Sequence, residues 1–186
     1  MSKLETNTID TISGTSNLII GSSNASTITL KSGATLTNFL DNTPAFEVKM
    51  SAEQNPSDNT YTKINFDTEI FDTASAYDTS NKRFTVPSGQ AGKYYIFGNS
   101  TLGSSSNTTV ISSFFSIYKN GSIYKQSYVD NRVNYIRYNQ LSVASIMELA
   151  VGDYVEMFGK VDVDSGTVEI RIDSGENTFG GYKIIE

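Results

Sequence analysis

From Pro44 onwards the sequence is a succession of short apolar runs separated by Gly, Asn, Asp and Ser. The run AFEVKM (45–50) alternates Phe46, Val48 and Met50 with charged residues, which is the period of a strand with one buried face. Asn120-Gly121 lies between FFSIYK and SIYKQSYV and is the strongest short-range signal for a two-residue β-hairpin. Turns at this spacing divide about eight to ten short strands, which predicts an all-β fold, an antiparallel sandwich or barrel.

One stretch, LSVASIMELA (141–150), also suits a short helix, because Ala144, Met147 and Glu148 favour helical structure. We nevertheless predict a strand, since apolar side chains alternate along the stretch and a central strand can override a weak helix preference. The alternating residues are Leu141, Val143, Met147 and Leu149.

The first 43 residues differ in composition from the rest of the chain. They are rich in Ser, Thr, Asn and Gly, and Phe39 is the only aromatic residue before Pro44. Aromatic side chains carry most of the buried area of a core, so we predict a head domain over residues 44–186 and a short β-structured or extended stalk over residues 1–43. Three copies of the stalk would bury its apolar side chains against one another, and a disordered linker is the alternative. The predicted stalk core is Ile12, Leu18, Ile20, Ile28, Leu30 and Leu36.

The residue types that are missing exclude several kinds of chemistry. There is no Cys, His or Trp, so no disulfide can staple the fold and no thiolate or imidazole can attack a substrate or bind a transition metal. The net charge is -6 and there is no basic run, so we expect no nucleic-acid partner. No apolar run approaches the roughly 18 residues of a membrane span, and the start MSKLETNTID lacks the apolar core of a signal peptide. We expect neither membrane insertion nor a signal peptide.

Carboxylates are the remaining groups that could catalyse a reaction or bind a metal, and they are scattered along the chain. Asp162 and Asp164 belong to an acidic turn with Ser165-Gly166, and Glu169 follows it. Calcium is the ion that such a turn could hold. However, the spacing is not that of an EF-hand loop, and Asp-Ser-Gly is ordinary turn chemistry without any ion. We predict no metal site, no cofactor and no enzymatic activity.

Five segments, in order, resemble the trimeric jelly roll of complement globular heads and tumour-necrosis-factor-like ligands. They are PAFEVKMSA, NFDTEIFDTASAYDTSNKRFTVPSGQAGKYYIFGNSTL, FFSIYKNGS, MELAVGDYVEM and FGGYKII. The resemblance covers residues 44–186 and implies an antiparallel jelly-roll sandwich. The chain departs from complement proteins in the neck, because no Gly-X-Y repeat precedes the head.

The same resemblance implies a homotrimer. The strand Tyr94–Phe97 places aromatic side chains on both faces, of which one can fill the sandwich while the other needs cover. In the family that the head resembles, a neighbouring subunit supplies the cover. The implied interface residues are Tyr95, Phe97, Phe179 and Tyr182. The alternative is that these side chains fill the core of a single chain.

The candidate ligand-binding segment is YVDNRVNYIRYNQ (128–140), which combines Tyr, Arg and Asn. These residue types supply rigid amphipathic area and adaptable hydrogen bonds, and tyrosine beside Asn or Arg suits carbohydrate rings. The predicted ligand contacts are Tyr128, Arg132, Tyr135, Arg137 and Tyr138. A twisted edge hairpin and a further part of the trimer interface are the alternatives.

The stalk composition resembles the short Ser/Gly/Thr repeats of bacteriophage tail-fibre shafts. Stalk and head together imply a trimeric virion surface protein, such as a fibre, knob or spike. It would attach to other virion proteins through residues 1–43 and present the head to a host cell-surface glycan or protein. We expect synthesis in the host cytoplasm and display on the virion. A capsid decoration trimer that binds no receptor, and a bacterial surface lectin or adhesin, are the alternatives.

Overall fold

The computed structural model describes residues 43–172 and 177–184. The predicted stalk core, Ile12 to Leu36, lies outside the described residues, and the division of the chain at Pro44 stays a prediction. The described residues form twelve strands, and none of them belongs to a helix that could cross a membrane. The strands are β1 (Ala45–Met50), β2 (Thr62–Lys63), β3 (Phe66–Asp72), β4 (Tyr77–Asp78), β5 (Arg83–Thr85), β6 (Gly92–Ser104), β7 (Val110–Lys119), β8 (Ser122–Asp130), β9 (Tyr138–Leu149), β10 (Tyr154–Val163), β11 (Val168–Arg171) and β12 (Thr178–Lys183).

The strands form two antiparallel sheets. In the first sheet, β9 pairs with one edge of β6, while β12 and β11 pair with successive parts of its other edge, and β1 and β3 follow beyond β12. In the second sheet the order is β4-β5-β10-β7-β8, and β2 pairs with β10 beside β5. The all-β sandwich predicted from the strand pattern is confirmed.

Alternate residues of the two sheets face each other and form the core. Along β1, Phe46, Val48 and Met50 are buried while the intervening residues are half-buried, as the sequence pattern predicts. The ring of Phe46 stacks on Phe84 of the opposite sheet at 4.6 Å between centroids, and it meets Phe179 edge-on at 5.0 Å. Aromatic side chains thus hold the two sheets together.

Residues 141–149 are part of a strand, which confirms the prediction made against their helix propensity. Leu141, Val143, Met147 and Leu149 are buried, and the residues between them are exposed apart from the half-buried Ser145. Pairing of β9 with β6 over twelve residue pairs supplies backbone hydrogen bonds that outweigh the local preference.

The hairpin predicted at Asn120-Gly121 joins β7 to β8. Both residues have positive φ, 50° at Asn120 and 79° at Gly121, as a two-residue turn of this type requires. The Asn120 side chain also donates to Asp153 Oδ1 at 2.7 Å and accepts from the Tyr154 backbone N–H at 2.9 Å. The turn is therefore tied to the start of β10, in the middle of the second sheet.

Candidate binding faces

The outer face of the first sheet carries an apolar patch, formed by Tyr95, Phe97, Ile146 and Tyr182, which we call the first-sheet patch. Tyr95 lies 5.9 Å from Phe97 and 5.6 Å from Tyr182 between ring centroids. Ile146 pairs with Tyr95 across β9 and β6 and is 59% exposed, and Tyr182 is 39% exposed. An aromatic cluster on a sheet's outer face is unusual for a surface that meets only water.

Gly180 shapes this patch. It pairs with Phe97 across β12 and β6, and a Cβ added to it would lie 2.6 Å from Phe97 Cζ and 2.9 Å from the Phe46 carbonyl oxygen. The absence of a side chain at Gly180 therefore lets the Phe97 ring lie down on the sheet. The ring, in turn, covers a stretch of backbone that glycine leaves bare.

The implied interface residues do not share one face, and the expectation for Phe179 is wrong. Phe179 is fully buried in the core of its own chain. Tyr182 lies three positions further along the same strand, and residues an odd number apart on a strand point to opposite faces. The structure therefore brings Tyr95, Phe97 and Tyr182 together on the outer face of the sheet and places Phe179 on its inner face, in the core.

The outer face of the second sheet carries a second aromatic group, which we call the second-sheet patch. Phe114 stacks on Tyr128 at 5.5 Å, and Tyr118 stacks on Phe158 at 4.0 Å. Tyr61 lies between these two pairs, 6.2 Å from Phe114 and 6.3 Å from Tyr118. The members of the second-sheet patch are Tyr61, Phe114, Tyr118, Tyr128 and Phe158.

Polar groups fix the positions of the rings in the second-sheet patch. Gln126 Nε2 donates to the Tyr61 hydroxyl at 2.6 Å and to Ser116 Oγ at 2.9 Å. The Lys160 ammonium lies 4.5 Å from the Phe114 centroid and 5.1 Å from the Tyr61 centroid, within cation–π range. The second-sheet patch is thus an aromatic surface whose rings are held by neighbouring polar side chains.

The structure divides the predicted ligand-binding segment between the two sheets. Tyr128 lies on β8 at the edge of the second sheet and is 63% exposed. Tyr138 begins β9 in the first sheet. Tyr135 is half-buried in the connection between these strands. The five predicted residues therefore do not form one site, although Tyr128 and Arg132 lie close together.

Arg132 is held beside Tyr128 by Asp130. Its Nε donates to Asp130 Oδ1 at 3.0 Å and to Oδ2 at 2.9 Å. These hydrogen bonds raise the pKa of the Arg132 guanidinium, and the charges of Asp130 and Asp162 act in the same direction. The hydrogen bonds from Arg132 likewise hold the pKa of the Asp130 carboxyl below its usual value. Both groups stay charged over the neutral range.

Tyr138 and Arg137 form a structural anchor at the edge of the first sheet. The Tyr138 hydroxyl donates to Glu169 Oε2 at 2.9 Å and accepts from Arg171 Nη1 at 2.7 Å. The guanidinium carbons of Arg137 and Arg171 lie 4.8 Å and 5.0 Å from its ring centroid. The ring also lies against Gly103, its partner across β9 and β6. Because its hydroxyl and its ring both make contacts within the chain, we assign Tyr138 a structural role.

The acidic turn of Asp162 and Asp164 lies in the part of the chain that the structure describes. Gly166 takes a φ of +88°, in keeping with turn chemistry. Across residues 43–172 and 177–184, no three acidic side chains converge closely enough to hold an ion.

Comparisons with known proteins bear on the fold. No protein-family model matches the chain, and no curated protein matches it. Among solved structures it is similar to the globular domain of zebrafish complement 1qA protein, with a TM-score of 0.52 and 14% identity. The match covers 77% of this chain and 98% of that domain. The described residues therefore adopt the jelly-roll sandwich seen in a complement globular domain.

Proposed function

We propose that the chain is a trimeric binding protein whose head assembles through the first-sheet patch and presents the second sheet outwards. The observation that carries this proposal is the cluster of Tyr95, Phe97, Ile146 and Tyr182 on an outer sheet face. Burial of such a cluster against copies of itself removes apolar surface from water, and tyrosine rings suit interfaces because each hydroxyl can still find a partner. The fold shared with a complement globular domain supports the same arrangement.

We further propose that this trimer serves on the surface of a bacteriophage particle. The Ser/Thr/Asn/Gly-rich segment 1–43, with its spaced Ile and Leu residues, supports a virion-attached stalk. Weak binding by each head would be strengthened by three heads on one particle. A gene position among phage structural genes would agree with this role, whereas a position among bacterial surface genes would favour an adhesin.

Light scattering on the full-length protein tests the assembly. One chain has a mass of 20.3 kDa, and we expect three times that mass. Ile146→Asp places a charge in the first-sheet patch and is expected to give monomers, because an unpaired charge buried at an interface is strongly unfavourable. Ile123→Asp is the matched control, since Ile123 is 49% exposed on the edge strand of the other sheet. It should stay trimeric.

Two results contradict the proposed assembly. A monomeric wild-type protein rules out the trimer altogether. A trimer that persists in Ile146→Asp shows that the first-sheet patch is not required for assembly, which then depends on another part of the chain, such as residues 1–43.

A further inference from the structure

The exposed end of the second-sheet patch combines an open aromatic ring with a frame of charged groups. Tyr128, Phe114 and Lys160 form one row across β8, β7 and β10, according to the strand register. The Tyr128 ring lies nearly parallel to that of Phe114, at an angle of 13°. Because 63% of the surface of Tyr128 is exposed, the ring face opposite Phe114 is open to solvent.

The next row brings two carboxylates to the same end of the face. Asp162 and Asp130 both pair with Ser112 of β7, one from each side. Asp130 holds Arg132, whose side chain is 73% exposed. The open ring is therefore bordered by two carboxylates and by two cations, Arg132 and Lys160.

These charges balance one another, so the frame offers hydrogen bonds without a net charge. Carboxylate oxygens accept hydrogen bonds, and guanidinium and ammonium groups donate them. The Lys160 ammonium donates to Asn59 Oδ1 at 3.0 Å. Within the described ranges it has no carboxylate within ion-pair distance. A ligand with neighbouring hydroxyls can use donors and acceptors of both kinds, whereas a polyanion would meet two carboxylates on a chain of net charge -6.

We propose that this end of the second-sheet patch binds a neutral pyranose ring of a glycan. The apolar face of the sugar stacks on Tyr128, and its hydroxyls bond to Asp130 and Arg132. An apolar wall with a few placed polar groups is the usual composition of a small-molecule site. The inference deepens the proposed function by naming the ligand class, and it rests on the outward display of the second sheet in the trimer.

A glycan array tests the ligand class. Labelled full-length protein is applied to printed neutral, sialylated and sulfated oligosaccharides, and the strongest neutral compound is then titrated in solution by calorimetry. We expect neutral oligosaccharides to be bound. Tyr128→Ala should weaken that binding at least about tenfold, as loss of a central aromatic anchor does. Asp130→Asn, which keeps the side-chain shape and removes the charge, should weaken it as well.

Tyr124→Ala is the matched control. Tyr124 is 46% exposed on the same strand, at the irregularity in the pairing of β7 with β8. In the part of the chain that the structure describes it makes no ring contact, so its removal should leave glycan binding unchanged.

Three results overturn the inference: no neutral oligosaccharide is bound, only acidic ones are bound, or Tyr128→Ala binds as tightly as Tyr124→Ala. The solution mass of the same samples separates this inference from the assembly. A trimer without glycan binding refutes the sugar site and leaves the trimer standing. A monomer that binds a neutral glycan through Tyr128 supports the sugar site and contradicts the assembly.

Discussion

Replacement of Phe179 by Ala tests the assignment of this residue to the core of a single chain. The ring is fully buried and lies 5.0 Å from the ring of Phe46 and 5.8 Å from those of Phe66 and Tyr77. Truncation of a buried Phe costs about 3–5 kcal/mol, through lost burial and the cavity left behind. The three aromatic contacts, each worth about 0.5–1.5 kcal/mol beyond burial, favour the upper half of that range. We therefore expect the free energy of unfolding to fall by about 4–5 kcal/mol.

Urea unfolding followed by circular dichroism measures this change. With a slope of about 2 kcal/mol per molar urea, the midpoint should fall by about 2 M. All samples are kept at one protein concentration, because association makes the midpoint depend on concentration. Tyr124→Ala removes a ring from an exposed site, and its effect should stay within about 1 kcal/mol.

A Phe179→Ala protein as stable as the Tyr124→Ala protein would refute the reasoning. The alternation of side chains along β12 would then not determine which residues form the core. Phe179 would then be assigned to the subunit interface, as the family resemblance implied.

Three further predictions concern single sites. Gly180→Ala should lower the thermal midpoint by an amount equivalent to about 1–3 kcal/mol, since the new methyl group overlaps Phe97 and nearby backbone. An unchanged midpoint would mean that the backbone shifts to accommodate the methyl group. Asp153 accepts hydrogen bonds from the side chains of Asn120 and Lys119 and from the Ala150 N–H, and these hold the pKa of its carboxyl at about 2. The stabilisation that ionised Asp153 gives the folded state is therefore complete above 3.8, the pKa of the carboxyl in the unfolded chain, and disappears as the pH falls through 2. The difference in urea midpoint between wild type and Asp153→Asn should therefore narrow from pH 5 to pH 2, and a constant difference would contradict this. Burial raises the pKa of Tyr94 to about 12, so stability should decline between about pH 10 and 12, and less steeply in Tyr94→Phe; equal slopes in alkaline urea titrations would speak against it.

The strand pattern could be predicted because it depends on local features. Alternation at Phe46, Val48 and Met50 and the turn at Asn120-Gly121 are both expressed within a few residues, and both were confirmed. The wrong assignment of Phe179 could also have been avoided from sequence. Its distance of three residues from Tyr182 on one strand already places the two side chains on opposite faces.

The candidate binding surfaces were harder to predict, because they depend on which strands become neighbours. Residues 128 and 138 are close in sequence, yet β8 and β9 enter different sheets. Tyr61, Phe114 and Lys160 are far apart in sequence, and they meet because the segment before β2 lies against β7 and β10. The one local signal for the second-sheet patch was the spacing of Phe114 and Tyr118 on β7, which gives them the same face.

The two places where an aromatic ring lies on a glycine have a consequence for sequence divergence. At Gly180 and Phe97, and at Gly103 and Tyr138, a side chain on the glycine would occupy the space of the ring. A Cβ would also lie 2.9 Å from the Phe46 carbonyl oxygen at Gly180, and closer still to the Arg137 carbonyl oxygen at Gly103, so a smaller side chain opposite does not by itself make room for it. We therefore expect related chains that keep the pairing of β6 with β12 and with β9 to keep both glycines, while the rings opposite them vary more freely.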